Sequence, residues 1–234
     1  MSWTLGSKLR PLSKCAKSCT AAYANAAQPS EVDSTLTRLP RVVFQNDWML
    51  AIDKPAGMSY HSEFEDGVLR TVRKMQNEGG IPYEGELHSI HRLDRVTSGL
   101  LLFGKSKEAA ALLSQAFEDR AIQKFYIAIS DAKPNKKMGT VSGDMVKSRR
   151  SQWKLTRTND NPAITRFISC PLELNEPIPG GSSGQRYHAV LMRPLTGKTH
   201  QLRVALRALA APIVGDPLYH PADIAHVDRH TSPS

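Results

Sequence analysis

Cysteine, aromatic residues and long apolar runs are all scarce in this chain of 234 residues. Its three cysteines, Cys15, Cys19 and Cys170, cannot build a disulfide framework or a four-cysteine zinc site, which favours a reducing, intracellular compartment. No apolar run approaches the roughly 18–20 residues that a membrane helix needs, so a membrane-spanning protein is excluded. Acidic residues number 22 against 31 lysines and arginines, and the resulting net charge of +9 favours a polyanionic partner.

The first 30 residues contain no acidic residue, and alanine, serine and threonine dominate them. This composition is typical of an organelle transit peptide, although a disordered tail or a wrongly assigned start codon fits equally well. We therefore expect residues 1–40 to be a leader. We expect an intracellular protein. It is mitochondrial or plastid if residues 1–30 act as a transit peptide, and cytoplasmic if they do not. Residues 41–234 keep a net charge of +6, so the remainder is basic in its own right.

Alternating and helical patterns predict an α+β fold around a largely antiparallel sheet. Strands are expected at 41–53 (two strands around an Asn-Asp turn), 98–105, 124–130, 163–174 and 185–193. Helices are expected at 67–77, at 107–119 and over about 11 residues from Thr199. Residues 131–162 are basic and are expected to be rich in loops.

The first concentration of chemically active residues is the segment His91–Gly99, which precedes a predicted buried strand. Asp94 lies between Arg92 and Arg95, and two nearby cations would hold its carboxylate ionised. An ionised carboxylate at a strand entrance can serve as a nucleophile or a general base. A structural salt bridge in a loop is the alternative interpretation.

The second concentration is the segment Leu195–Arg203, in which a Gly-Lys-Thr turn opens a predicted helix. Such a helix start resembles an anion-binding site. It is not a Walker loop, because position 192 is methionine where that motif requires glycine. Arg203 and Arg207 lie four residues apart on one helix face, which is either an anion-binding surface or a solvated basic face.

A third feature joins positive charge to an aromatic ring, at Lys147, Arg149, Arg150, Trp153 and Lys154. Lysine and arginine can neutralise phosphates while a base stacks on the indole, although a solvated loop with one anchoring aromatic is equally consistent. By residue type, His91, Asp94 and His200 could also hold a metal. No metalloprotease or deaminase motif accompanies them, so we expect no metal.

Four motifs together resemble the RluA-type pseudouridine synthases. They are LAIDKPAGMSYH, HRLDRVTSGLLL, the Lys124-Phe125-Tyr126 triplet, and LTGKTHQLRVAL followed by PIVGDPLY. They occur in the family's order and span residues 42–219. Lys198 stands where many relatives have arginine, which keeps the charge but loses bidentate geometry.

The resemblance implies a role for each matching residue. Asp94 corresponds to the catalytic aspartate, and Arg92 to the arginine associated with extruding the target nucleotide. Tyr126 corresponds to the tyrosine that stacks on the flipped uracil, and Arg203 to the arginine that pairs with the aspartate. The remaining expected RNA contacts are His91, Arg95, Lys124, Lys147, Arg149, Arg150, Trp153, Lys198 and His200.

The resemblance also implies a bent, mainly antiparallel or mixed sheet with flanking helices and a central basic cleft. It implies one catalytic domain over 41–222, no metal or organic cofactor, and tRNA or rRNA as substrate. The small N-terminal RNA-binding domain of many relatives is not expected here. Residues 223–234 are expected to be a short, possibly truncated tail, and the protein is expected to be a monomer.

The sequence thus predicts an RNA pseudouridine synthase that flips uridines and uses an aspartate nucleophile. Two alternatives remain. One is an inactive RNA-binding protein that retains the basic cleft. The other is a metal-dependent hydrolase built on His91, Asp94 and His200.

Overall fold

A computed structural model describes residues 39–60, 67–149, 151–174, 176, 178 and 186–220. These residues form ten strands and three helices. The strands are β1 (Arg41–Gln45), β2 (Met49–Lys54), β3 (His88–Ser89), β4 (Gly99–Gly104), β5 (Tyr126–Ser130), β6 (Met138–Gly143), β7 (Met145–Lys147), β8 (Trp153–Leu155), β9 (Ala163–Leu172) and β10 (Tyr187–Pro194). The helices are α1 (Val68–Asn77), α2 (Lys107–Glu118) and α3 (Gln201–Ala208).

The strands pair antiparallel throughout the described part of the chain. One sheet has the order β1-β2-β4-β3, a second has the order β5-β10-β9-β6, and β7 and β8 form a hairpin of their own. The prediction of an α+β fold dominated by antiparallel strands is confirmed.

The first sheet is held by a core of bulky apolar side chains and by a close helix contact. Leu50, Ile52, Leu101 and Phe103 of β2 and β4 are almost completely buried in this core. Ser106 directly precedes helix α2, and its hydroxyl caps the helix by accepting a hydrogen bond from the backbone N–H of Ala109 at 3.1 Å. A side chain at Gly104 would collide with Ala110, so the end of β4 lies tightly against α2. This sheet therefore gives the segment that precedes β4 a rigid base.

The second sheet packs one face against α3. The alternation along β9 buries Thr165 and Phe167 on that face, where Val190, Met192 and Leu206 complete the core. The opposite face carries a row of apolar side chains in direct cross-strand register, one from each strand, and each is more than 40% exposed. The row consists of Ile127, Leu191, Ile168 and Met138.

Most of the segment 131–162 lies outside strands, as expected, but the sequence did not indicate the three strands within it. Strands β6, β7 and β8 are short and largely exposed. A strand without a buried face lacks the apolar alternation by which a strand is recognised. Helix α3 is also shorter than expected, because His200 adopts the left-handed conformation (φ 56°, ψ 17°) and the helix begins only at Gln201.

Several predictions lie outside the described residues, namely the leader, the tail after 222 and the position of Arg150. Within the described residues, no helix is both long and apolar enough to cross a membrane. The cellular location stays a prediction.

Candidate active site

The loop that carries Asp94 is tied to the β2 end by a buried lysine. Lys54 is fully buried, and its Nζ donates to the carbonyls of Pro55, Met58 and Arg95 at 2.9, 3.0 and 3.3 Å. Burial lowers the pKa of Lys54, and the nearby charge of Asp94 opposes that shift. Arg95 completes the link, because its Nε donates to the carbonyl of Gly57 at 2.9 Å. The Lys-Pro-Ala-Gly motif therefore supports the Asp94 segment directly.

The arginine in contact with Asp94 comes from α3 rather than from the neighbouring sequence. Nη1 of Arg203 lies 3.3 Å from Oδ2 of Asp94, and Nε2 of His200 lies 4.0 Å from the same oxygen. The resemblance implied this pairing with Arg203, whereas the neighbouring sequence alone predicted that Arg92 and Arg95 hold the Asp94 carboxylate ionised. Instead, Arg95 is bonded to Gly57, and Arg92 is exposed. Both contacts fall on Oδ2, which leaves Oδ1 without a protein donor in the portion of the chain described here.

Arg203 makes its stronger pair with a different carboxylate. Its Nε and Nη2 donate to Oδ2 and Oδ1 of Asp216, each at 2.7 Å, in a bidentate arrangement. Backbone N–H groups of Leu218 and Tyr219 donate to Oδ1 of Asp216 at 2.9 and 3.1 Å. Burial favours a higher pKa for Asp216, but these hydrogen bonds outweigh it and lower the pKa. Asp216 thus fixes the plane of the guanidinium so that Nη1 points to Asp94.

Tyr219 joins this group to the β7–β8 hairpin. Its side chain is almost completely buried, and the guanidinium groups of Arg203 and Arg207 lie 4.9 and 5.8 Å from its ring centre. Its hydroxyl lies 2.8 Å from the backbone nitrogen of Trp153 and 2.9 Å from Nδ1 of His200. The hairpin is therefore anchored to the same tyrosine that contacts the site histidine.

Tyr126 lies near enough to Asp94 for the charge of that carboxylate to act on its hydroxyl. It is the first residue of β5 and packs against the cores of both sheets. Burial raises the pKa of its hydroxyl, and the charge of Asp94 raises it further, so the ring stays neutral at physiological pH. A neutral phenol beside a carboxylate can stack on a base and can donate a proton.

The remaining expected RNA contacts occupy different positions around this group. Arg92, Lys147 and Arg149 are exposed, whereas Lys124 and Trp153 are half-buried. Nζ of Lys147 lies 6.0 Å from the ring centre of Trp153, as the proposed pairing of charge with aromatic requires. Nζ of Lys198 donates to Oδ1 of Asn161 at 2.7 Å, beside a recess of about 360 Å³ that Trp153 also lines.

His91 is placed differently from His200. Its Nε2 accepts a hydrogen bond from the backbone N–H of Leu102 at 3.2 Å, and its ring lies 4.7 Å from that of Phe117. Burial, and next the charge of Lys124, lower the pKa of His91 to about 4. The two histidines and Asp94 do not form a metal-ligand group, and no group of three or more potential ligands occurs elsewhere among the described residues.

Sequence reasoning missed the roles of Asp216 and Tyr219, although both lie in the PIVGDPLY motif that contributed to the resemblance. The signal that could have found Asp216 is its type, since a buried arginine requires a carboxylate partner. Neither residue lies at a helical spacing from Arg203, so periodicity could not connect them.

Comparison with known proteins identifies the family. The model of the RNA pseudouridylate synthase family matches residues 48–208. A protein of Haemophilus influenzae named "Uncharacterized RNA pseudouridine synthase" is 43% identical over 179 residues, which cover 76% of this chain and 72% of that protein. The solved structure of human RNA Pseudouridylate Synthase Domain Containing 4 is 27% identical. Its TM-score is 0.59, with 77% of this chain and 69% of that chain covered.

Two further relatives carry names that state an RNA class. "Ribosomal large subunit pseudouridine synthase C" of Rickettsia bellii is 31% identical, and the match covers 82% of this chain and 64% of that protein. "tRNA pseudouridine synthase C" of Haemophilus ducreyi is 33% identical, with 76% and 73% covered. The family match, the identity to its members and the shared fold agree: this chain belongs to the RNA pseudouridylate synthase family, whose members are isomerases that act on RNA.

Proposed function

We propose that this protein converts uridine to pseudouridine in tRNA or rRNA, with the carboxylate of Asp94 as its nucleophile. The observation that carries the proposal is the arrangement of Asp94. Its side chain is 27% exposed, Arg203 contacts one carboxylate oxygen, and the other oxygen has no donor among the described residues. A carboxylate that is held in place through one oxygen, with its other oxygen accessible, is suited to attack on a substrate.

The reaction breaks one bond to the ribose and forms another. The bond from C1′ of the ribose to N1 of uracil breaks, the base rotates, and a bond from C1′ to C5 forms. The hydrogen on C5 leaves as a proton and the released N1 takes up a proton, so the product is an isomer of the substrate. Asp94 can attack either the ribose or the ring, and both routes remain open. The base must stay in the site while it is detached, and we propose that Tyr126 holds it by stacking.

The target uridine must leave its helix before Asp94 can reach it. Flipping a nucleotide costs a few kcal/mol, which backbone contacts and stacking in the pocket offset. We assign the extruding role to Arg92, which is exposed two residues before Asp94. The basic residues Arg95, Lys124, Lys147, Arg149 and Lys198 would neutralise phosphates of the surrounding RNA.

Neighbouring nucleotides have a place beside the site. The recess of about 360 Å³ is lined by Trp153, Lys198 and Thr199, and Thr199 directly precedes the site residue His200. An indole face with a nearby lysine suits an unpaired base and its phosphate. We therefore propose that RNA runs from the Asp94 carboxylate over α3 toward the β7–β8 hairpin.

The test follows the hydrogen that leaves C5. RNA transcripts of tRNA and rRNA carrying tritium at uracil C5 are incubated with the wild type, with Asp94→Asn and with Asp47→Asn. Asp47 is exposed in the β1–β2 turn, so the third protein controls for loss of one carboxylate. We expect release by the wild type and by Asp47→Asn, and a rate at least about a thousandfold lower for Asp94→Asn.

RNA binding is measured on the same proteins. Phosphate contacts carry most of the affinity, so Asp94→Asn should bind RNA about as tightly as the wild type does. Full tritium release by Asp94→Asn would refute the nucleophile assignment. Tight binding by the wild type without release from either RNA class would favour an inactive RNA-binding protein.

A further inference from the structure

The hydroxyl of Tyr219 has two hydrogen-bond partners in the part of the chain under description. One is the backbone nitrogen of Trp153 at 2.8 Å, and the other is Nδ1 of His200 at 2.9 Å. The tyrosine side chain is almost completely buried, so its hydroxyl forms its hydrogen bonds with these partners rather than with solvent. The direction of each bond can therefore be worked out from the chemistry of the donors.

A backbone N–H can only donate, so the oxygen of Tyr219 accepts from Trp153. The hydroxyl proton of Tyr219 then needs an acceptor, and Nδ1 of His200 is the one within reach. An imidazole nitrogen that accepts carries no proton. A neutral His200 ring must consequently carry its proton on Nε2. Burial, and next the charge of Arg203, lower the pKa of His200, which favours the neutral ring at physiological pH.

The protonated nitrogen faces the Asp94 carboxylate. Nε2 of His200 lies 4.0 Å from Oδ2 of Asp94, the same oxygen that Nη1 of Arg203 approaches at 3.3 Å. The backbone of His200 is left-handed at φ 56°, which is uncommon for a residue other than glycine. Its ring stands edge-on to Tyr219 at 87°, with ring centres 5.7 Å apart. The surrounding structure thus holds the imidazole in one orientation.

We propose that His200 is a positioning residue whose neutral ring is fixed by Tyr219 as the Nε2–H tautomer and directs that N–H to Oδ2 of Asp94. This inference rests on the proposed function of Asp94. Arg203 and His200 both approach Oδ2, so Oδ1 is the oxygen presented to the uridine. A neutral donor orients the carboxylate without adding a second positive charge that would weaken its nucleophilicity.

The tautomer can be observed without any RNA. Nitrogen-15 NMR of the histidine rings distinguishes a protonated from an unprotonated ring nitrogen, and the signals of His200 are assigned by their loss in His200→Gln. We expect the Nε2–H form in the wild type and a loss of that preference in Tyr219→Phe. A wild-type ring that is protonated at Nδ1, or that is a cation at pH 7.5, would overturn the inference.

Two substitutions at His200 test the consequence for the reaction. In His200→Gln the side-chain amide reaches the position of Nε2 and keeps an N–H directed toward Oδ2 of Asp94. In His200→Asn the shorter amide lies near the position of Nδ1, and asparagine tolerates the left-handed backbone well. We expect the single-turnover rate at saturating RNA to fall about tenfold for His200→Asn and less than about threefold for His200→Gln. Equal rates in the two variants would contradict the proposal.

Tyr219→Phe needs a measure of folding, because it also leaves the backbone N–H of Trp153 without its acceptor. Its thermal unfolding is compared with that of the two His200 variants, which keep this bond. A failed inference and a failed function give different results. A wild type that does not isomerise uridine refutes the proposed function and leaves the NMR result standing, whereas an active wild type with the Nδ1–H tautomer refutes this inference alone.

Discussion

Asp94 and Asp216 share one arginine but lie in different surroundings. Asp216 is 3% exposed and accepts four hydrogen bonds, two of them from Arg203 at 2.7 Å and two from backbone N–H groups. The side chain of Asp94 is 27% exposed and receives a single, longer contact of 3.3 Å from the same guanidinium. The first carboxylate has its hydrogen-bonding capacity filled, and the second does not.

The two carboxylates therefore suit different tasks: Asp216 holds Arg203 in place, and Asp94 is the proposed nucleophile. A bidentate, charge-assisted pair is strong and directional, so Asp216 sets the plane of the Arg203 guanidinium. The charge of Arg203 is largely balanced within that pair. Asp94 is therefore oriented by Arg203 without being fully neutralised by it, as its proposed role as a nucleophile requires.

The largest effect is expected from Asp94→Asn. The rate of isomerisation should fall at least about a thousandfold, because the proposed nucleophile is lost. The free energy of unfolding should change by less than about 1 kcal/mol, since the carboxylate makes one long contact and is partly exposed. Tritium release and urea denaturation measure the two quantities. A large loss of stability would remove the distinction between the two aspartates.

For Asp216→Asn we expect the main effect on the free energy of unfolding. Loss of this charge leaves the guanidinium of Arg203, only 8% exposed, without its main partner, which costs about 3–5 kcal/mol of stability. Urea denaturation measures that loss. Asp144→Asn is the matched control, because Asp144 also accepts from two backbone N–H groups but has no buried arginine. Equal losses at the two positions would show that the pair with Arg203 is not what anchors Asp216.

A third effect concerns the histidine that precedes the Asp94 loop. His91 keeps a pKa of about 4 when folded, against 6.5 ordinarily. As the pH falls below 6.5, His91 becomes protonated in the unfolded chain, but in the folded chain it stays neutral down to about pH 4. The free energy of unfolding therefore falls across this pH window. The total loss is about 3 kcal/mol. In His91→Gln, urea denaturation between pH 7 and pH 4 should show a smaller decline, and an unchanged decline would assign it to other groups.

The smallest effect is expected at the hairpin that Tyr219 anchors. Lys147→Gln removes one exposed charge, so RNA affinity should fall about twofold to threefold, and the slope of log affinity against log salt should lessen by about 1. The rate at saturating RNA and the unfolding free energy should not change. Fluorescence binding titrations at several salt concentrations measure this. A lower rate at saturating RNA would show that Lys147 affects the reaction step and does not act through RNA binding alone.

Local patterns in the sequence predicted most of the fold. Strands such as β9 and helices such as α2 have one buried face, and the burial repeats with the period of the element. The β7–β8 hairpin was missed because its exposed strands show no such period. The start of α3 was missed because the left-handed backbone of His200 is set by tertiary contacts rather than by propensity.

The site was predicted in part, through motifs rather than through spacing. The resemblance selected Asp94, Tyr126 and Arg203, and the structure brings Arg203 to Asp94, while the roles of these residues in catalysis stay predictions. It did not indicate that Asp216 binds Arg203 more closely than Asp94 does. That pairing depends on where the chain after α3 returns, which no local pattern encodes.

The rate at which Lys54 is acylated would measure how often the loop that bears Asp94 opens. An amine that is fully buried and bonded to three carbonyls is closed to acylating reagents, while exposed lysines such as Lys147 react at once. Modification of Lys54 must wait for the loop to detach from β2, so its rate follows the free energy of that local opening. Mass spectrometry of timed labelling would then report, from one nitrogen atom, how firmly the Asp94 loop is held before and after RNA binds.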